Sequence, residues 1–141
     1  MTNVKIEERI NAPAKDVWEC LFDPELVIGV YAETVDIKGS GEGAIRTSKL
    51  LGDNGTIVER IDVFDEQNWL CRYSVIDRGP MPFKDYTGLI KITPTGQNSC
   101  IVKLEGNFVA IGMSEQESID LYMQNNHTAL CKVKKMLPAK P

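Results

Sequence analysis

Hydrophobic and polar residues alternate along most of this chain and give way to a helical period at its end. Val4, Ile6, Glu8 and Ile10 share one parity while Lys5, Glu7, Arg9 and Asn11 share the other, the pattern of a strand with one buried face. Ala12-Pro13-Ala14-Lys15-Asp16 then starts a short helix with Val17, Trp18 and Leu21 on its apolar side, and Asp23-Pro24 stops it. Leu26 to Tyr31 reads as a second short helix or turn. From residue 33 the alternation returns, broken by turn residues, and predicts six more antiparallel strands: Glu33–Lys38, Ala44–Leu51, Gly55–Phe64, Asn68–Asp77, Phe83–Thr93 and Ser99–Ile111. Ser114 to Leu137 carries the longest helical pattern, about 35 Å at the α-helical rise. It opens on a capping box, Ser114-Glu115-Gln116-Glu117, and closes on a lysine-rich turn before Pro138. Ile119, Tyr122, Met123, Leu130, Val133 and Leu137 share one side of this helix, with the polar Asn126 in its middle, and Leu121 lies opposite. The order is α+β: a seven-stranded antiparallel sheet, two short helices between strands 1 and 2, and a long helix across the sheet.

Composition narrows the function classes. The 141 residues, 43% of them hydrophobic, suit one domain over 1–141 with a real core. A formal charge of −4 without a basic block argues against nucleic acid, and Lys132, Lys134 and Lys135 suit the negative end of the helix dipole. No apolar run nears the ~20 residues that span a bilayer. Met1 to Arg9 interleaves charge with aliphatics, unlike a signal peptide, so a soluble, cytoplasmic protein without stable membrane insertion is expected. Cys20, Cys71, Cys100 and Cys131 stand far apart and read as core thiols. His127, the single histidine, sits at the edge of the helix's apolar face, so neither a histidine-rich metal site nor a hydrolase triad is expected. With no nucleotide loop in sight, no cofactor is expected either.

Strand parity sorts the inner surface, taking the more aliphatic set of each strand as inward. Ala44, Arg46, Ser48 and Leu50 then face in on the third strand, and Ile57, Glu59, Ile61 and Val63 on the fourth. A hairpin pairing Leu50 with Ile57 would set Ser48 opposite Glu59 and Arg46 diagonal to it, giving a buried ion pair. Trp69, Cys71, Tyr73 and Val75 face in on the fifth strand, Tyr86, Gly88, Ile90 and Ile92 on the sixth, and Val102, Leu104, Gly106 and Phe108 on the seventh. This surface is apolar with a few polar tips, Glu8, Arg46, Ser48, Glu59, Tyr73, Tyr86 and Asn126, which is the composition of a small-molecule pocket. Gly88 and Gly106 would leave room in it. Two readings stay open for each tip: an Arg46–Glu59 pair that satisfies itself or one that orients a ligand, and an Asn126 bonded to its neighbours or to a ligand.

Ile10-Asn11-Ala12-Pro13 with Val17-Trp18, the glycines from Gly39 before Arg46, Val58-Glu59-Arg60-Ile61, Asp85-Tyr86-x-Gly88 and the closing helix occur in one order over nearly the whole chain. In this the chain resembles the helix-grip fold of the START/SRPBCC superfamily, most closely its polyketide cyclase/dehydrase and lipid-transport branch. The resemblance implies a curved sheet and long helix around a central hydrophobic cavity, with Arg78 to Phe83 at its mouth, where Met81 and Phe83 would close over a bound molecule. A plain hydrophobic turn packed on the helix fits that loop equally. The implied ligand-binding set is Glu8, Arg46, Ser48, Glu59, Trp69, Tyr73, Met81, Phe83, Tyr86, Phe108, Met123 and Asn126. The first function expected is carriage or sensing of a small hydrophobic molecule, polyketide-, terpenoid- or lipid-like. The second is a cofactor-independent cyclase/dehydratase or related lyase or isomerase, with Glu59 as base, Arg46 on the enolate and Tyr86 as proton donor. A co-chaperone-like interaction domain is the third, with Leu121 as its one hint. The sequence leaves homodimer formation open.

Overall fold

The computed structural model describes residues 1–137. Seven strands form one antiparallel sheet in the order β1-β7-β6-β5-β4-β3-β2. They are β1 (Thr2–Ile10), β2 (Ala32–Lys38), β3 (Ile45–Leu50), β4 (Thr56–Asp65), β5 (Leu70–Asp77), β6 (Phe83–Gly96) and β7 (Ser99–Ala110), with helices α1 (Ala14–Phe22) and α2 (Glu115–Met136). The chain crosses from one edge strand to the other through α1 and then meanders back until β7 lies beside β1. This is the expected helix-grip architecture. The second short helix shrinks to a 3-10 turn, Pro24–Leu26, because Asp23 caps it and Gly29, at a φ of 85°, turns the chain into β2. Among the described residues no helix is long and apolar enough to cross a membrane.

The capping box of α2 is closed at both ends, Glu117 N–H donating to Ser114 Oγ at 3.1 Å and Ser114 N–H to Glu117 Oε1 at 3.3 Å. Pro138, the expected stop, lies outside the described residues; the helix ends at Met136 with Leu137 as its cap. Two of its three lysines leave the helix end. Lys132 Nζ donates to the Glu25 and Ile28 carbonyls at 2.5 and 3.3 Å, and Lys134 reaches Glu8 at 3.2 Å. Tyr122, Leu130, Val133 and Ser118 are buried, and Leu121 is partly buried against the core instead of facing away from it.

Parity is obeyed wherever a strand is regular. Thr2, Val4, Ile6 and Ile10 are buried in β1, and Cys100, Val102, Leu104, Gly106 and Phe108 in β7. It fails where β4 and β6 bulge. In β4 the register slips between Ile61 and Val63, so that Phe64, not Val63, opposes the buried Cys71, and Val63 opposes the exposed Arg72. In β6 the slip between Lys84 and Thr87, with Asp85 at a φ of 55°, turns both Phe83 and Tyr86 inward. Phe83 is thus the first residue of a strand, buried and stacked on Phe108 at 4.1 Å, and belongs to the core, not to a closing loop.

The two inward glycines do not leave empty room. Gly88 pairs with Tyr73 across the strands, and a β-carbon on Gly88 would overlap the Tyr73 ring. A β-carbon on Gly106 would lie 2.5 Å from Tyr122 Cε2 and 3.1 Å from the Tyr86 hydroxyl. The glycines seat three tyrosines. Gly88→Ala is therefore expected to lower unfolding stability by about 1–3 kcal/mol in a urea titration, the usual cost of overpacking. Adding Tyr73→Leu should recover most of that loss, because the obstructing ring is gone.

Candidate functional site

The inner face of β3 carries Arg46 and Ser48, and that of β4 carries Glu59 directly opposite Arg46, with Ser48 opposite Ile57. The hairpin is two residues tighter than the sequence suggests. Leu50 N–H bonds to Gly55 O at 2.9 Å across a loop that uses positive φ at Gly52, Asp53 and Gly55. An offset of two keeps every side chain on its expected face, and it moves Arg46 from diagonal to face to face with Glu59.

That opposition does not produce the compact ion pair expected. Arg46 Nε stands 4.0 Å from Glu59 Oε1. Arg46 Nε and Nη2 and the Ser48 Oγ are buried atoms without a hydrogen-bond partner. The Arg46 and Glu59 side chains keep 19% and 21% of their surface accessible through their other atoms, so the three covered donors sit in a part of the sheet that is incompletely closed. The helix accounts for the incomplete cover. Within the sheet its backbone lies mainly against β1 and β7, away from β3, β4 and β5. Over this part of the sheet Ile57, Glu59, Ile61, Tyr73 and Val75 are only partly covered.

Tyr31, at the start of β2, stands at the rim with 41% of its surface exposed. Its phenol is raised above the usual range by burial of the hydroxyl end and then by the Glu59 charge, and Arg46 and Ser48 pull the other way without either Arg46 Nε or Ser48 Oγ gaining a sound hydrogen bond. Burial raises the Glu59 carboxyl above its ordinary value, and the guanidinium opposes this only in part. Desolvation outweighs the loose salt bridge. The Cys71 thiol, fully buried behind Glu59, is pushed up to about 12 by burial and then by Glu59 and Asp62, which keeps it a neutral core thiol.

Deeper in, Tyr73 and Tyr86 hydroxyls lie 3.3 Å apart, and the Tyr122 ring from α2 packs 6.5 Å from that of Tyr86. Burial raises all three phenols. After burial, Glu59 is the next cause at Tyr73, whereas at Tyr86 it ranks behind two effects of Tyr73. Tyr73 lies diagonal to the carboxylate on the sheet, on β5 beside Val75, the strand partner of Glu59. Phe108 is wholly buried, stacked at 5.9 Å on Tyr86 and 6.1 Å on Tyr122, and forms the floor of this cluster.

The remaining predicted residues lie elsewhere. Glu8 faces inward as expected, but α2 engages it: Lys134 Nζ at 3.2 Å on one oxygen and His127 Nδ1 at 3.5 Å on the other. Asn126 donates to the Tyr122 carbonyl of its own helix at 2.9 Å. Met123 packs partly buried on the core, and Met81 sits in a turn closed by its N–H on the Arg78 carbonyl at 2.9 Å and by Arg78 Nη1 on its own carbonyl at 3.1 Å. Trp69 precedes β5 and packs 5.6 Å from Trp18, under α1. Tyr31 and Tyr122 were not among the sequence candidates. Tyr31 precedes a strand and has no periodicity, and Tyr122 stood on the apolar side of α2, where its hydroxyl was the available signal. Among the described residues no group of three His, Cys, Asp or Glu side chains is placed to hold a metal ion.

A family model described as polyketide cyclase / dehydrase and lipid transport matches residues 1–124. Solved structures share the fold at low identity. The protein XoxI of Bacillus cereus is 22% identical with a TM-score of 0.77, covering 97% of this chain and 96% of that one. A protein of Nitrosospira multiformis is 18% identical with a TM-score of 0.77, over 98% and 97% of the two chains. Norcoclaurine synthase of Thalictrum flavum, in complex with dopamine and hydroxybenzaldehyde, is 19% identical with a TM-score of 0.72, over 96% of this chain and 85% of its own.

Two measurements on the unliganded protein test this geometry. Ser48→Ala removes a buried hydroxyl that has no partner and is expected to stabilise the fold by up to about 1 kcal/mol in urea unfolding, where a bonded hydroxyl would give a loss of that size. Glu59 binds its proton more tightly folded than unfolded, so its contribution is most favourable below the unfolded carboxyl range, about pH 4, and declines as pH rises through the elevated folded value. Glu59→Gln, which mimics the neutral acid, should therefore raise Tm at neutral pH and match the native protein near pH 3.5.

Proposed function

The chain belongs to the polyketide cyclase / dehydrase and lipid transport family, whose model spans residues 1–124, and from that premise we propose that it binds a small, largely hydrophobic molecule bearing an anionic or carbonyl oxygen. The observation that carries this reading is the set of buried donors without partners, Arg46 Nε, Arg46 Nη2 and Ser48 Oγ. A self-satisfying structural pair would have spent the guanidinium on the carboxylate, since a buried charge left without hydrogen bonds is costly. At 4.0 Å the guanidinium is held back, and its fork matches a ligand oxygen. Ile57, Ile61, Val75 and Tyr73 supply apolar walls, and Tyr31 stands at the entrance. The ligand is then polyketide-, terpenoid- or lipid-like, with its oxygen at the Arg46 end, and the role is that of a carrier or sensor.

Catalysis in the same site is a second reading, favoured by one feature: the Glu59 carboxyl is raised by burial toward the working range of a general base. Glu59 would abstract a proton from carbon and Arg46 would hold the enolate oxygen. The donor in this arrangement is Tyr73, which lies diagonal to Glu59 across β4 and β5, with Tyr86 behind it at 3.3 Å. Norcoclaurine synthase performs catalysis on this fold. The interaction-domain reading loses its hint with Leu121 partly buried.

Native mass spectrometry of the protein as purified from its own host, followed by organic extraction, tests the first reading: a co-purifying apolar metabolite is expected. Arg46→Met should weaken its rebinding about 10- to 100-fold, the worth of charge-assisted hydrogen bonds. Unchanged affinity would assign Arg46 to the fold alone. Turnover would instead show Glu59→Gln lowering kcat far more than it raises KM.

A further inference from the structure

A concave site separate from the Arg46–Glu59 cluster lies between α1 and the turn that joins β4 to β5. Trp18 and Phe22 from α1, Phe64 from β4 and Trp69 from the following turn enclose a groove of about 420 Å³. The rings make one cluster, with Trp18 at 4.8 Å from Phe22, 5.2 Å from Phe64 and 5.6 Å from Trp69. Their planes are inclined by 48° to 67°, and Trp18, 4% exposed, is the floor on which the partly exposed Phe22, Phe64 and Trp69 rings stand as walls. None of these residues touches Arg46, Ser48 or Glu59 in any hydrogen bond, ion pair or ring contact recorded among the described residues.

The wall made by Trp69 is held in place at a cost. Trp69 has a φ of 50°, an unfavourable conformation for a bulky side chain. Asn68 N–H and Nδ2 donate to the Asp65 carboxylate at 3.2 and 2.8 Å, Ile92 N–H donates to the Trp69 carbonyl at 3.0 Å, and Lys91 Nζ binds the Asn68 carbonyl. The turn thus fixes the indole in advance of any ligand. The rim is acidic: Glu19, Asp23 and Glu66 line it against Lys15 alone, a formal balance of −2. Lys15 is itself drawn to Glu19 at 3.9 Å, and one Asp23 oxygen caps the Glu25 N–H.

Aromatic faces and carboxylates present the same sign of field, and both attract a cation. A small hydrated metal ion would gain little here, because no three ligating side chains converge. We propose that this groove binds a small organic cation with an apolar shell, of the methylated-ammonium class, its charge against the partly exposed Trp69 ring above the Trp18 floor and toward the Glu19 and Glu66 rim. The site is independent of the cavity and of the ligand assigned to it.

The chain has two tryptophans, and both line the groove, so tryptophan fluorescence excited beyond the tyrosine band reports on it. The test titrates the full chain with choline and with 3,3-dimethyl-1-butanol, its uncharged counterpart of the same shape, and follows the fluorescence and the indole N–H resonances. Choline should give a saturable change with at least about tenfold preference over the alcohol, the order expected of cation–π attraction. Glu19→Gln combined with Glu66→Gln changes only exposed positions and should weaken choline several-fold while leaving Tm unchanged. Trp69→Leu should abolish the response at Trp18. Equal binding of choline and the alcohol, no saturation by about 50 mM, or a double variant that binds choline as well as the native protein would each overturn the proposal.

Discussion

Within the sheet, the backbone of α2 lies mainly on β1 and β7, and most of what is distinctive in this protein follows from that placement. One helix of 22 residues cannot cover the concave face of a seven-stranded sheet. The face under the helix is sealed in the ordinary way, with Leu130, Val133 and Tyr122 against Phe108, Leu104 and Val102. The face beyond its reach must be closed by the side chains of β3 to β5 themselves. There the chain places a guanidinium, a carboxylate and a hydroxyl. In a sealed core such groups would be destabilising, and their retention without partners on a partly closed face is the physical case for a ligand.

Two opposing effects act on Glu59, and the geometry decides between them. A direct bidentate pair with Arg46 would have held the carboxyl low. At 4.0 Å the attraction is weak, burial prevails, and the group is raised. The same burial raises Tyr31, Tyr73, Tyr86 and Tyr122. The polar cluster is thus built around a guanidinium, in contrast to the groove beside α1, whose rim is negative.

How much of this was legible in the sequence depends on the regularity of the backbone. β1, β3 and β7 alternate without interruption, and Arg46, Ser48 and Phe108 fell on the faces expected of them. Hydropathy does not reveal a bulge. The slip at Asp62 exchanged Val63 for Phe64, and the slip at Asp85 brought Phe83 into the core. The β3–β4 register was misjudged by two residues because Gly52 and Asp53 adopt left-handed conformations that close a shorter loop. The error left the faces intact, which is why Arg46 and Glu59 were still found together. Trp69 was assigned to the cavity by extending the period of β5 one residue too far; its positive φ carries the indole to α1. Glu8 and Asn126 were correctly sided, and their partners on α2 could not be foreseen from one strand or one helix alone.

The pairing of glycines with tyrosines has a consequence for how such an interior can change. Gly88 and Tyr73, and Gly106 with Tyr122 and Tyr86, occupy the same volume in turn: one position is empty so that its neighbour can be large. Neither member can vary alone. A smaller residue at Tyr73 opens a void the size of a ring directly above the sheet, and a larger one at Gly88 is admitted only once that ring is gone. The size of the interior is thereby adjustable in whole steps, each requiring two substitutions, with the polar end at Arg46 left untouched.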